Sequence, residues 1–313
     1  MATILVTGAA GLLGAHVAAA LAPAHDVVGC DRHPWWGDEP LRMIRRDLLA
    51  PGAAAGVMAE VQPRVLVHCA AWVDVDACEQ DPERAMARNA HLSGALARGA
   101  PPGCLMVLVS SDSVCQANGA GATEQDPPAP MTAYAKSKLA GERLVQAAAP
   151  EHLIVRTNFY GWSSGRKRTF GEWLYGALER RTPIRLFTDV RFTPIYAADL
   201  ARRVARLIER GARGVVHVAG NDTVSKFQFG MLVARAAGLS AEAVTPSRLA
   251  AGRLAAPRAQ DTSLASGRCE QLLGLPAPGC AEGIERFVRD RARPLSRRVS
   301  AREEAAQPAP ASA

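Results

Sequence analysis

The chain has 313 residues, of which 48% are hydrophobic and 21% charged, ample material for a large core in one sizeable domain, or in one domain with a smaller lobe. No stretch approaches the roughly 20 apolar residues of a membrane span, and the first residues enter a strand pattern at once, so a cytoplasmic protein without a secretory signal is expected. The formal charge of +7 is spread along the chain in short basic runs such as Arg166-Lys167-Arg168; it suits an enzyme with an anionic substrate as well as a nucleic-acid binder, and no nucleic-acid partner is expected.

In chain order, Thr3–Thr7 is an apolar strand and Leu12–Leu21 an alanine-rich helix. Strands are expected at 26–30 and 65–69, and a helix over 81–98 with Pro82 in its first turn, where a missing N–H costs nothing. A buried strand over 105–110, the helix Ala133–Ala148 and the strand His152–Arg156 close the series. Apolar strands alternating with helices define a Rossmann-type, doubly wound α/β sheet, parallel and covered on both faces. From about residue 158 the pattern loosens, with a helix near 198–209 and a short strand near 214–218. The expected organisation is an NAD(P)-binding domain over 1–157, a smaller substrate-binding lobe over 158–295 interleaved with the end of the sheet, and a disordered tail over 296–313.

The seven cysteines are odd in number and include no C-x-x-C pair. They read as reduced, structural thiols, without a zinc or other metal site.

The first strand runs into Gly8-Ala9-Ala10-Gly11-Leu12-Leu13-Gly14. Three glycines at three-residue spacing in a strand–turn–helix frame suit a dinucleotide. Gly8 permits the tight turn, Gly11 lets the backbone approach a pyrophosphate, and Gly14 lets helix and strand pack closely. Ala10, Leu12 and Leu13 complete this loop, and the helix N-terminus offers N–H groups to the phosphates. Asp31, at the end of the second strand, can bond the adenosine ribose and favours NAD. Arg32 can meet a 2′-phosphate and keeps NADP open; the balance leans slightly to NAD. Asp47 and Leu48, after the third strand, are candidate adenine contacts.

Tyr134 and Lys138 stand four residues apart on one helix face. An ammonium beside a phenol stabilises the phenolate, so the pair suits acid–base work near neutral pH. Ser110-Ser111-Asp112 ends a buried strand, the edge at which open α/β sheets bind ligands. A hydroxyl there can hold a carbonyl beside the tyrosine.

These segments, with His68-Cys69-Ala70-Ala71-Trp72-Val73-Asp74-Val75-Asp76-Ala77-Cys78-Glu79, Asn89, Tyr134-Ala135-Lys136-Ser137-Lys138-Leu139-Ala140-Gly141-Glu142, Arg156-Thr157-Asn158-Phe159-Tyr160-Gly161 and Ala256-Pro257-Arg258, resemble the extended short-chain dehydrogenase/reductase family, and within it the dTDP-4-dehydrorhamnose reductase branch. The resemblance implies an NAD(P)H-dependent reductase of a nucleotide-linked 4-keto sugar. Tyr134 would protonate the carbonyl oxygen, Lys138 would lower the tyrosine pKa and hold the nicotinamide ribose, and Ser111 matches the catalytic Ser/Thr. Ala70 and Ala71 would lie beside the cofactor. Asp112, Ser113 and Asn158 would meet the substrate, and Arg191 and Arg258 its diphosphate. A homodimer is left open.

One departure from the branch bears on the substrate. Where the branch reads Asp-Tyr-Val-Phe-Asp-Gly, this chain has Asp112-Ser113-Val114-Cys115-Gln116-Ala117, so the pocket should differ in shape. A dehydratase would need a glutamate at Ser113, which makes elimination chemistry unexpected. An epimerase would use the same Ser111, Tyr134 and Lys138. A non-catalytic relative, such as the regulatory subunit of methionine adenosyltransferase, has no need of that set.

Overall fold

The computed structural model describes residues 1–117, 119–166, 168–252 and 254–300. Seven strands form one parallel sheet: β1 (Thr3–Thr7), β2 (Asp26–Asp31), β3 (Arg42–Arg45), β4 (Val65–His68), β5 (Leu105–Val109), β6 (His152–Arg156) and β7 (Gly214–His217). Their order across the sheet is β7-β6-β5-β4-β1-β2-β3. The central strands are buried along their whole length, as in β4 and β5, because helices cover both faces and leave no solvent side for polar residues. The chain leaves β1 in one direction and later returns to β4 on the other side. That reversal opens a crevice at the C-terminal ends of β1 and β4, where ligands of such sheets bind.

The long helix expected over 81–98 is interrupted. Pro82–Ala85 and Leu92–Arg98 are α-helical, but Met86–His91 between them is a π-turn. The wide turn places Asn89, 1% exposed, where its amide accepts from the Trp72 N–H (2.7 Å) and donates to the Trp72 carbonyl and to Ser137 Oγ, both at 3.0 Å. Single π-turns of this sort gather at functional sites.

Beyond β6 the chain forms three short strand pairs: Phe159–Tyr160 with Ile195–Tyr196, Arg191–Phe192 with Val224–Ser225, and Ile184–Phe187 with Val244–Ser247. An aromatic cluster cements them. The Phe229 ring, 0% exposed, meets Tyr160 edge-on at 4.9 Å and lies 5.7 Å from both Phe170 and Phe192.

Order extends further than the composition suggests. Residues 296–300 belong to the packed body and not to a disordered tail. Leu295–Arg298 is a short helix with Leu295, Arg298 and Val299 buried. The Ser296 N–H donates to Asp38 at 2.9 Å, and Arg202 donates to the Arg298 carbonyl at 2.9 Å. Two apolar anchors, Leu295 and Val299, outweigh the local charge density. The rest of that expected tail, 301–313, lies outside the described residues. Among the described residues no helix is long and apolar enough to cross a membrane, and no group of three His, Cys, Asp or Glu side chains could hold a metal ion. All seven cysteines are free.

Truncating Phe229 to Ala removes the ring on which three others pack. It should cost about 3–5 kcal/mol, read as a lower urea midpoint at unchanged slope.

Candidate active site

A cavity of about 700 Å³ runs from the glycine loop to the end of β5. At its floor the turn after β1 is closed by the Gly8 N–H on the Cys30 carbonyl (2.9 Å) and the Gly11 N–H on the Gly8 carbonyl (2.9 Å). Gly8 has φ +70°, and a Cβ there would stand 2.6 Å from the Ala70 nitrogen; one on Gly14 would stand 2.1 Å from the Gly8 oxygen. No side chain caps the helix that starts after Gly11, so its first N–H groups face the cavity without a side-chain acceptor, as phosphate binding requires. A pyrophosphate fits this cradle.

Ala10, Leu12, Leu13, Asp31, Arg32, Asp47, Leu48, Ala70 and Ala71 all line the same cavity. The Asp31 carboxylate is anchored by the Ala10 N–H (3.1 Å) and the His33 N–H (2.9 Å), which leaves each oxygen a lone pair for a ribose hydroxyl. Arg32, about half exposed, pairs loosely with Asp47 at 3.9 Å and is therefore free to reach a phosphate.

At the other end, the 3₁₀ turn Asp112–Val114 is capped by Ser111, whose Oγ accepts the Ser113 N–H at 3.1 Å. Asp112, 2% exposed, collects four side-chain donors: Ser111 and Ser113 on Oδ1 at 3.1 and 3.3 Å, and Asn158 and Thr262 on Oδ2 at 2.7 and 2.8 Å. Thr132 caps the helix Ala133–Ala148, accepting the Ala135 N–H at 3.0 Å, and the helix carries Tyr134 to the cavity wall beside Ser111. Burial pushes the Tyr134 phenol up to about 12, with a hydrogen bond from Ser111 opposing; it is held as the neutral acid at neutral pH.

Lys138 is 3% exposed and donates to the Val109 carbonyl at 2.7 Å. It does not line the cavity, and the Tyr134 phenol is raised and not lowered, contrary to the expected effect of Lys138, because burial outweighs the attraction of any nearby charge. Burial lowers its pKa to about 8, against the attraction of Glu142. One turn further on, Glu142 receives Ser110 Oγ and, at 3.1 and 2.7 Å, Nε and Nη2 of Arg156. This buried network ties the helix to the ends of β5 and β6.

Two expected residues stand apart. Arg258 pairs with Asp76 at 2.9 Å and donates to the Ala256 carbonyl, and exposed Arg191 sits on the short strand paired with Ser225; neither lines the cavity. The structure adds wall residues that sequence reasoning left without a role. Arg166 donates to the Ala10 carbonyl at 2.8 Å, an oxygen that also accepts from Trp36, outside the wall, at 3.1 Å. Arg88 lies 5.5 Å from the Trp72 ring centroid, and Arg46, Arg168 and Phe170 complete the wall.

A parallel sheet with this switch point, glycine cradle and Ser, Tyr and Lys grouping defines an extended short-chain dehydrogenase/reductase, a class of NAD(P)-dependent oxidoreductases. The RmlD substrate binding domain model matches residues 1–293, and the chain belongs to that family. It is 32% identical to the dTDP-4-dehydrorhamnose reductase of Mycobacterium tuberculosis over 274 residues, 84% of each chain. It is 30% identical to the methionine adenosyltransferase 2 subunit beta of Danio rerio over 295 residues, 87% of this chain and 85% of that one. Among solved structures, the dTDP-4-dehydrorhamnose reductase of Bacillus anthracis in complex with NADP superposes with a TM-score of 0.83 at 27% identity, covering 92% of this chain and 99% of that one.

Replacing Arg156 by Met should strand a buried Glu142 charge and cost about 3–5 kcal/mol. The double change Arg156→Met with Glu142→Leu should recover most of that loss in urea denaturation, since the stranded carboxylate is then gone.

Proposed function

We propose that the chain reduces the keto group of a nucleotide-linked 4-keto sugar with NADH or NADPH, residues 1–157 carrying the cofactor and 158–295 forming the substrate lobe. The observation that carries this reading is the placing of Ser111 and Tyr134 side by side on one wall of the cavity whose floor is the glycine cradle. The similarity to dTDP-4-dehydrorhamnose reductases supports the substrate class.

Gly8, Gly11 and Gly14 would seat the pyrophosphate, Asp31 and Arg32 the adenosine ribose with or without a 2′-phosphate, and Asp47 and Leu48 the adenine. When bound, the dihydronicotinamide supplies a hydride to the carbonyl carbon. Ser111 turns its one hydroxyl proton from Asp112 to the carbonyl oxygen, and Tyr134, kept neutral by burial, gives that oxygen its proton. Lys138 as ammonium steadies the phenolate left behind. Asp112, its own lone pairs met by four donors, fixes Ser111 and Asn158 and leaves the small Ser113 as the sugar's neighbour. The Asp112-Ser113 pair carries no glutamate to abstract a proton, which argues against dehydration.

The resemblance to a methionine adenosyltransferase subunit supports a second, non-catalytic reading that the same experiment decides. Tyr134→Phe should lower kcat for a dTDP-4-keto sugar by about 10²–10⁴-fold while the NADPH titration stays unchanged. Absence of turnover in the wild-type protein across dTDP-, UDP- and GDP-linked keto sugars would leave the binding role standing. Net consumption of NAD(P)H separates reduction from epimerisation.

Because Lys138 is held near 8 and must be charged, kcat at saturating substrate should be flat below that pH and fall with rising pH above it. In Lys138→Met the remaining activity should lose that limb.

A further inference from the structure

Lys226 begins the helix Lys226–Ala237, placed by a capping box in which Ser225 accepts the Gln228 N–H (3.0 Å) and Gln228 accepts the Ser225 N–H (2.8 Å). Pairing of Val224–Ser225 with Arg191–Phe192 brings it over the Phe192 ring, its Nζ 3.2 Å from that centroid and 5.0 Å from the centroid of Phe170. Phe192 is buried, and Phe170 belongs to the cavity wall.

Among the described residues no oxygen accepts a hydrogen bond from this ammonium, and none forms an ion pair with it. Burial lowers its pKa to about 8, with Asp112 opposing, so it is mostly charged at neutral pH. Asp112 does not neutralise it by contact, since both of its oxygens are already taken up by Ser111, Ser113, Asn158 and Thr262. Lys226 is half-buried, and its ammonium has three donors that two aromatic faces attract but do not accept from. The partner suited to it is an anion. The cofactor phosphates belong to the glycine cradle at the far end of the cavity, whereas Lys226, which does not itself line the cavity, lies against Phe170 of its wall with Asp112 as its electrostatic neighbour.

We infer that Lys226 is a substrate-binding residue that donates to an anionic oxygen group of the nucleotide sugar, either its diphosphate or a carboxylate on the sugar ring. This rests on the nucleotide-sugar reading above and adds to it a specificity-determining cation.

The test is calorimetric titration of the full chain, saturated with NADP⁺, with dTDP, dTDP-glucose, UDP, UDP-glucose and UDP-glucuronic acid. Wild type is compared with Lys226→Met, which keeps the stem on the rings, with Lys226→Arg, which keeps the charge, and with Lys226→Gln should the Met variant not fold. NADPH titration and the melting temperature report that the cradle and fold are intact. If the diphosphate is the partner, Met or Gln weakens every ligand the wild type binds by tenfold or more, and Arg restores most of it. If a sugar carboxylate is the partner, only UDP-glucuronic acid weakens. Equal affinities in wild type and the neutral variants for every ligand overturn the inference and leave the nucleotide-sugar reading intact. A wild-type protein that binds none of the five removes both.

Discussion

Between the carbonyl of Gly8 and the α-carbon of Gly14 there is no room for a methyl group, and the backbone of Ala70 closes equally tightly on Gly8. These contacts join the ends of β1 and β4 to the start of the first helix. They therefore set the position of the sheet's switch point and the direction in which the helix's free N–H groups face. The cavity walls are built outward from this junction: Asp31 is tied to it through the Ala10 N–H, and Arg166 and Trp36 reach it through the Ala10 carbonyl. The absence of these two side chains is what lets the turn, the first helix and the end of β4 close on one another.

The opposite end of the cavity is organised by charge kept out of water. Glu142, on the helix that carries Tyr134 and Lys138, pairs with Arg156 at the end of β6, and Ser110, the neighbour of Ser111, donates into the same pair. A salt bridge at this depth adds little net stability, because desolvation offsets most of the attraction. Its contribution is geometric. It holds the helix in register with the ends of β5 and β6, so that phenol, serine hydroxyl and ammonium keep their relative places.

Much of this was legible in the chain itself, and the parts that were not have identifiable causes. Strand and helix alternation up to Arg156 is written in apolar runs whose period the sheet imposes, and the glycine spacing marks the cradle because no other residue type fits there. Beyond residue 158 the strands are short and the aromatic residues of the cluster come from separate segments, so Phe229 and Phe287 look unremarkable until the fold brings them to Tyr160. Arg191 and Arg258 were recognisable as residue types, yet chemistry alone does not reveal that Asp76 occupies the Arg258 guanidinium. Lys226 carried no signal at all, since its meaning depends on two rings distant in sequence.

The π-turn at Met86–His91 has a consequence for how this chain tolerates change. A regular α-helix advances about 100° per residue, and a π-turn accommodates one residue more without rotating the helix beyond it. Deleting a single residue there would regularise the helix and swing Pro82–Ala85 about a quarter-turn around its axis relative to Leu92–Arg98. Asn89 would then release both backbone groups of Trp72 and the hydroxyl of Ser137, freeing the cofactor-side loop from the helix that bears Tyr134. The irregularity thus acts as a one-residue spacer, and the segment is open to substitution on its outer face but closed to any change in its length.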